Sequence, residues 1–307
     1  MQTSDNIQRL LQQKIDQYKG VITPEILNRF SGEVMKEINQ RSLSLAEGLS
    51  PEQLHQLLHF LFTERSIVRL SASIPDDVAL KSPLLNLCIC YLQIIQREKE
   101  MKLTKTGALP MKIVNELYSK GYISEVIWTT PIRVRTEQDS ISIQLVRVIS
   151  KLAGMTKMLH GKLSLTAKGT SLLKSPSKLL ILFTETFFLK FSWSFFDLYD
   201  SEQAAQFGAG YTLVLLRKYG HQEKEVNFYA KKFLEAFPMV TDEFESKFSR
   251  SPEDAFCHCY ITRTFHRGLM WLGMVETRET GNRMEGTHQE WVKTTSLFHD
   301  FLKFNNV

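Results

Sequence analysis

Leu103-Thr104-Lys105-Thr106-Gly107 returns further along the chain as Leu165-Thr166-Ala167-Lys168-Gly169. Two helix-like stretches lie between the echoes. Ile113, Val114, Leu117 and Tyr118 recur at helical spacing behind Gly107-Ala108-Leu109-Pro110. Ile143, Val146, Ile149, Leu152 and Ala153 do so behind Asp139 or Ser140 as N-cap. Lys102-Leu103-Thr104 and Lys162-Leu163-Ser164-Leu165-Thr166 alternate polar and apolar residues, as strands do. The echoing phrases therefore read as two strands that pair, not as a tandem repeat.

Strand, helix, helix, strand is the outline of a winged helix, a helix-turn-helix with a small sheet attached. The last third of the chain has the same outline. Helices are predicted around Tyr211–Lys218 and Glu225–Phe237, and a third starts at Ser251-Pro252-Glu253 and runs through Leu272. Beyond Gly273, strands at 274–279 and 289–296 flank the turn-rich Thr280–Gly286, which predicts a hairpin. The first hundred residues read as helices, with Thr23-Pro24, Ser50-Pro51-Glu52-Gln53 and Ser82-Pro83 as starts. Ile67–Ile74 is left as a short strand or a connector. The expected fold is mainly α: an N-terminal helical region (1–100), a basic winged-helix-like unit (101–190), and a second such unit with a C-terminal hairpin (191–307).

Gly48-Leu49-Ser50-Pro51-Glu52-Gln53-Leu54-His55, Ser82-Pro83-Leu84, Leu103–Pro110 and Gly161–Gly169 occur in a set order and spacing. Together they resemble an uncharacterised bacterial family with winged-helix-like modules, over roughly residues 45–175. That family usually has Asn where this chain has Ala108. The resemblance implies the architecture and carries over no catalytic residue.

Charge divides the chain unevenly. Residues 1–100 hold 11 Lys and Arg against 12 Asp and Glu, residues 101–190 hold 14 against 5, and residues 191–307 hold 13 against 16. An excess of nine positive charges in the middle third suits a polyanionic partner, or a solvated face offset by acidic neighbours. The opening residues have no basic stretch followed by an apolar run, which predicts no export, reduced cysteines and a cytoplasmic location. Leu179–Tyr199 is rich in Phe and Leu but is broken by Glu185, Lys190 and Asp197. A helix buried in the core is expected there, not a membrane span.

No phosphate-binding loop, dinucleotide fingerprint or nucleophile elbow occurs, so a non-enzymatic binding protein without cofactor is expected. Cys88-Ile89-Cys90 and Cys257-His258-Cys259 would diverge on helices, which argues against a metal. His55 and His59 share one helical face, but Gln56 stands where a zinc-protease helix needs its Glu. The aromatic block from Phe183 to Phe196 reads as packing between the two units. For nucleic acid, the candidates are Arg147 and Lys151 on the second helix of the middle unit, Lys157 and Lys162 beyond it, and Arg133 and Arg135 before it. The last third adds Arg263 and Arg267, with Arg278 and Arg283 near the wing. The alternative is that the same units bind a protein partner.

Overall fold

The structure is a computed structural model and describes residues 2–127, 130–131, 134–245, 251–282, 285 and 287–305. It is mainly helical with small antiparallel sheets. The chain opens with a helical hairpin, α1 (Gln2–Gln17) against α2 (Pro24–Gln40), where the Thr23 hydroxyl caps α2 and Phe30 and Val34 are its buried contacts. α3 (Pro51–His59) begins with a reciprocal capping box between Ser50 and Gln53, the chemistry its sequence predicts. β1 (Val68–Leu70) then runs antiparallel to β10 (Leu302–Phe304) near the far end of the chain. This resolves Ile67–Ile74 as a short strand followed by a connector.

After α4 (Asp76–Ala79) comes the first of two units with a common plan. α5 (Pro83–Glu98) is capped by Ser82 and is buried along most of its length. It leads into β2 (Met101–Lys102), α6 (Met111–Tyr118), the short pairing of β3 (Val126–Ile127) with β4 (Thr130–Pro131), α7 (Ile141–Leu152), and the hairpin of β5 (Thr156–Leu159) and β6 (Lys162–Leu165). The sheet order is β2-β6-β5. Pairing falls just upstream of the echoed phrases, Met101 opposite Leu163 and Lys102 opposite Lys162. Thr104–Gly107 is a turn in which the Thr104 hydroxyl accepts from Ala108 N at 2.9 Å, and Thr166 is a helix cap. α8 (Ala167–Leu172) and α9 (Pro176–Leu189) follow.

The second unit repeats the plan: α10 (Ala209–Tyr219), β7 (Lys224–Glu225), α11 (Val226–Ala236), α12 (Pro252–Tyr260) continuing into a π-helix over Ile261–Leu269, then β8 (Val275–Thr280) and β9 (Gln289–Thr294). Its sheet order, β7-β9-β8, again places the last strand in the middle. The likeness reaches single atoms. Gly154-Met155 ends the third helix of the first unit and Gly273-Met274 that of the second, each Gly at positive φ (71° and 76°) and each Met fully buried. After the last strand, Thr166 and Thr295 each return to this turn. The Thr166 hydroxyl donates to Gly154 O at 2.8 Å and its N–H to Met155 O at 3.0 Å, while Thr295 reaches Gly273 O at 2.6 Å and Met274 O at 3.0 Å. Each Thr also caps the helix that follows, α8 in one case and α13 (Ser296–Phe301) in the other.

One continuous apolar core runs from Ala46 to Leu302 through all three parts of the chain. The aromatic block lies in it: Phe187 stacks on Phe191 and packs at a tilt against Trp193, and Phe188 meets Phe62. Glu47 ties the N-terminal region to the second unit through Lys218 at 2.6 Å, Lys232 at 3.0 Å and the Tyr219 hydroxyl. Burial opposes its ionisation, but those three donors prevail and hold the carboxyl at about 2.

Candidate nucleic-acid interface

The third helix of the first unit is packed on most of its circumference, leaving Gln144, Arg147 and Val148 half-buried and Lys151 and Leu152 exposed along the remaining stripe. Ile143, Val146 and Ile149 are buried, and so are Ser142 and Leu145. Ile141 and Leu145 meet Phe187, Phe191, Trp193 and Phe196, with a void of only about 10 Å³ among them. Glu125 closes the N-terminal end of α7, accepting from Ser140 Oγ at 2.6 Å, Ile141 N at 2.7 Å and Ser142 N at 3.0 Å.

Three of the basic residues expected to meet nucleic acid are internal ties instead. Arg147 points back to Glu137 and donates to Gly107 O at 2.6 Å, leaving 21% of its side chain exposed. Arg263 is fully buried, with Nε and Nη2 on the Asp197 carboxylate at 2.9 and 2.7 Å and Nη1 on Ala204 O at 3.1 Å. Arg267 donates to Phe196 O at 3.0 Å and lies 3.8 Å from Asp197. These corrections share a cause: periodicity places a basic residue on a helix but cannot reveal a carboxylate waiting behind it on a distant segment. Arg278, exposed, pairs with Glu223 at 2.6 Å. Arg133 and Arg283 lie outside the described residues.

What the structure brings together is the remaining set. Lys102 and Lys162 stand directly opposite each other on β2 and β6, both exposed. Leu159 completes the row on β5, and Lys157 opposite Ser164 forms the next row on the same side, since alternate strand residues share a face. Lys162 reaches Glu100 at 2.6 Å; that hydrogen bond, with the charge of Lys157 further off, holds the Glu100 carboxyl below its ordinary value. Lys151 is exposed at the end of α7, and Arg135 is exposed just before Asp139, whose carboxylate accepts the Arg135 N–H at 2.9 Å. Lys102 is the functional candidate that the reading from sequence missed. Its signal was present: Lys102-Leu103 and Lys162-Leu163 set a lysine before a buried leucine at both ends of the pairing.

Residues 80–178 match the family model described as the Y4jL N-terminal domain, an uncharacterised family. This stretch runs from the end of α4 to the start of α9 and so contains the first unit whole. No curated protein and no solved structure matches the chain.

Other candidate chemistry is bland. Cys88, Cys90 and Cys259 are buried and Cys257 half-buried; burial pushes the Cys88 and Cys259 thiols up to about 12 and that of Cys257 to about 11. Among the described residues no three His, Cys, Asp or Glu side chains group as a metal would need, and no helix is long and apolar enough to cross a membrane. His55 and His59 lie exposed with ring centroids 4.6 Å apart.

Proposed function

We propose that the chain is a non-enzymatic nucleic-acid-binding protein and that both units are winged helices, the first gripping the phosphate backbone with its sheet. The element order helix, strand, helix, helix, strand, strand, with the last strand central, supports the winged-helix reading. The observation that carries the functional reading is the cross-strand pair Lys102–Lys162 with Lys157 one row away. Like charges placed directly opposite destabilise a sheet. One exposed carboxylate, Glu100, offsets three cations, and a polyanion laid across the strands would offset the rest. Because Arg147, on the partly exposed stripe of α7, is tied to Glu137 and Gly107, the contacts are to phosphates, and selectivity among base sequences is weak.

Fluorescence anisotropy of a labelled duplex at several salt concentrations tests this. Three to four phosphate contacts predict a log–log slope of affinity against salt of about −3 to −4. Replacing Lys102 and Lys162 together by Glu lowers affinity about tenfold or more and flattens that slope. No binding to any duplex at about 50 mM salt, where this electrostatic term is strong, overturns the reading. In that event the protein-partner alternative gains, favoured by Met158 and Leu159, which stand 57% and 64% exposed on the same hairpin.

A further inference from the structure

The helices α10 and α13 and the strand β10 meet around a concavity of about 240 Å³. That is smaller than the usual site for a drug-sized molecule, and large enough for a compact ion. Arg217 from α10, His299 from α13, and Leu302, Lys303 and Phe304 of β10 line it; among the described residues no carboxylate does. Arg217 lies over the Phe304 ring, 5.8 Å from its centroid. Among the described residues neither the Arg217 nor the Lys303 side chain has an ion pair or a hydrogen bond. Lys303 also stands directly opposite Arg69 across the β1–β10 pair, and like charges so placed destabilise a sheet. Arg69 is already engaged, with its guanidinium on Glu64 at 2.5 Å and on Ser66 O at 3.2 Å.

His299 adds a third group. The Thr294 hydroxyl donates its proton to Gly220 O at 2.8 Å, so it accepts from His299 Nε2–H at 3.0 Å, and Nδ1 of the neutral ring keeps its lone pair. Burial and the Arg217 charge hold this imidazole below its ordinary pKa; Asp300, exposed and outside the lining, pulls it up, and His221 pulls it down. An anion between Arg217 and Lys303 offsets the first of those charges and favours the protonated ring. We infer that this concavity binds a phosphate-sized dianion, with the Arg217 guanidinium and the Lys303 ammonium as its donors. A guanidinium presents parallel N–H groups that suit such an ion, and charge-assisted bonds of this kind are the strong ones. The site shares no residue with the basic sheet of the first unit and does not rest on the nucleic-acid reading.

Inorganic phosphate and phenyl phosphate, each titrated calorimetrically into the full chain at low ionic strength, test this, since exposed charges are then least screened. Phosphate binds with a dissociation constant of about 1 mM or tighter. Tighter binding of phenyl phosphate identifies the ligand as a monoester whose body rests on Leu302 and Phe304; equal affinities identify it as the free ion. Arg217→Gln and Lys303→Gln each weaken phosphate about tenfold, the loss of one charge-assisted contact. Both residues are exposed, so the melting temperature holds. Lys36→Gln, which removes the same charge from an exposed position on α2, leaves phosphate affinity unchanged. No binding at about 10 mM phosphate, or the same affinity in all three variants, overturns the inference.

Discussion

The two units share helix order, strand order, a glycine-methionine turn and a threonine strap, yet differ in what the central strand of each sheet presents. In the first, Lys162 on the central strand faces Lys102, exposed on the outer side. In the second, Glu290, buried on the central strand, faces Glu279. A single topology thus carries a cross-strand pair of lysines in one copy and a cross-strand pair of glutamates in the other. What a unit binds is decided by a few side chains on its sheet, and the fold alone is silent on it.

The units also differ in how their third helices are fastened, and this gives the largest expected effect. Arg263 is fully buried on Asp197, whereas Arg147 keeps part of its side chain in water beside Glu137. Removing one partner of a fully buried pair strands a charge, so Arg263→Ala should lower unfolding free energy by about 3–5 kcal/mol. Arg147→Ala should cost about 1–3 kcal/mol, since water can reach what is left. Urea unfolding of both variants checks the order; equal losses would mean the two ties are equivalent.

A smaller effect sharpens the likeness. Gly154 and Gly273 occupy the same left-handed position, which costs an L side chain about 1–2 kcal/mol. A Cβ on Gly154 meets nothing within 4 Å, whereas one on Gly273 comes 2.9 Å from the Lys81 carbonyl oxygen and 3.0 Å from Pro83. Gly154→Ala should therefore cost about 1–2 kcal/mol from backbone conformation alone, and Gly273→Ala clearly more. Comparing melting temperatures decides it; a Gly273→Ala variant as stable as Gly154→Ala would show that the contact with Lys81 yields freely.

Much of this fold is legible in the sequence because its signals are local. Ser50-Pro51, Ser82-Pro83 and Ser251-Pro252 each start a helix, since a serine cap and a proline in the first turn need only their own neighbours. The hairpin beyond Gly273 is equally local. β1 escaped firm assignment because its partner, β10, lies at the other end of the chain. β5 was missed because Lys157, Met158 and Leu159 are all exposed, which erases the alternation that marks a half-buried strand. Site residues suffered most. The inward turn of Arg147 and Arg263, the opposition of Lys102 to Lys162 and that of Glu279 to Glu290 all depend on register and on distant carboxylates, neither of which periodicity encodes.

The central claim is that one unit, through its sheet, takes the polyanion. Amide hydrogen exchange of the whole chain, with and without saturating duplex DNA at low salt, measures this most directly. The account predicts slowed exchange over residues 101–105 and 156–165 and unchanged exchange over 275–280 and 289–294. Protection of the second hairpin in place of the first, or of neither at saturation, would contradict it.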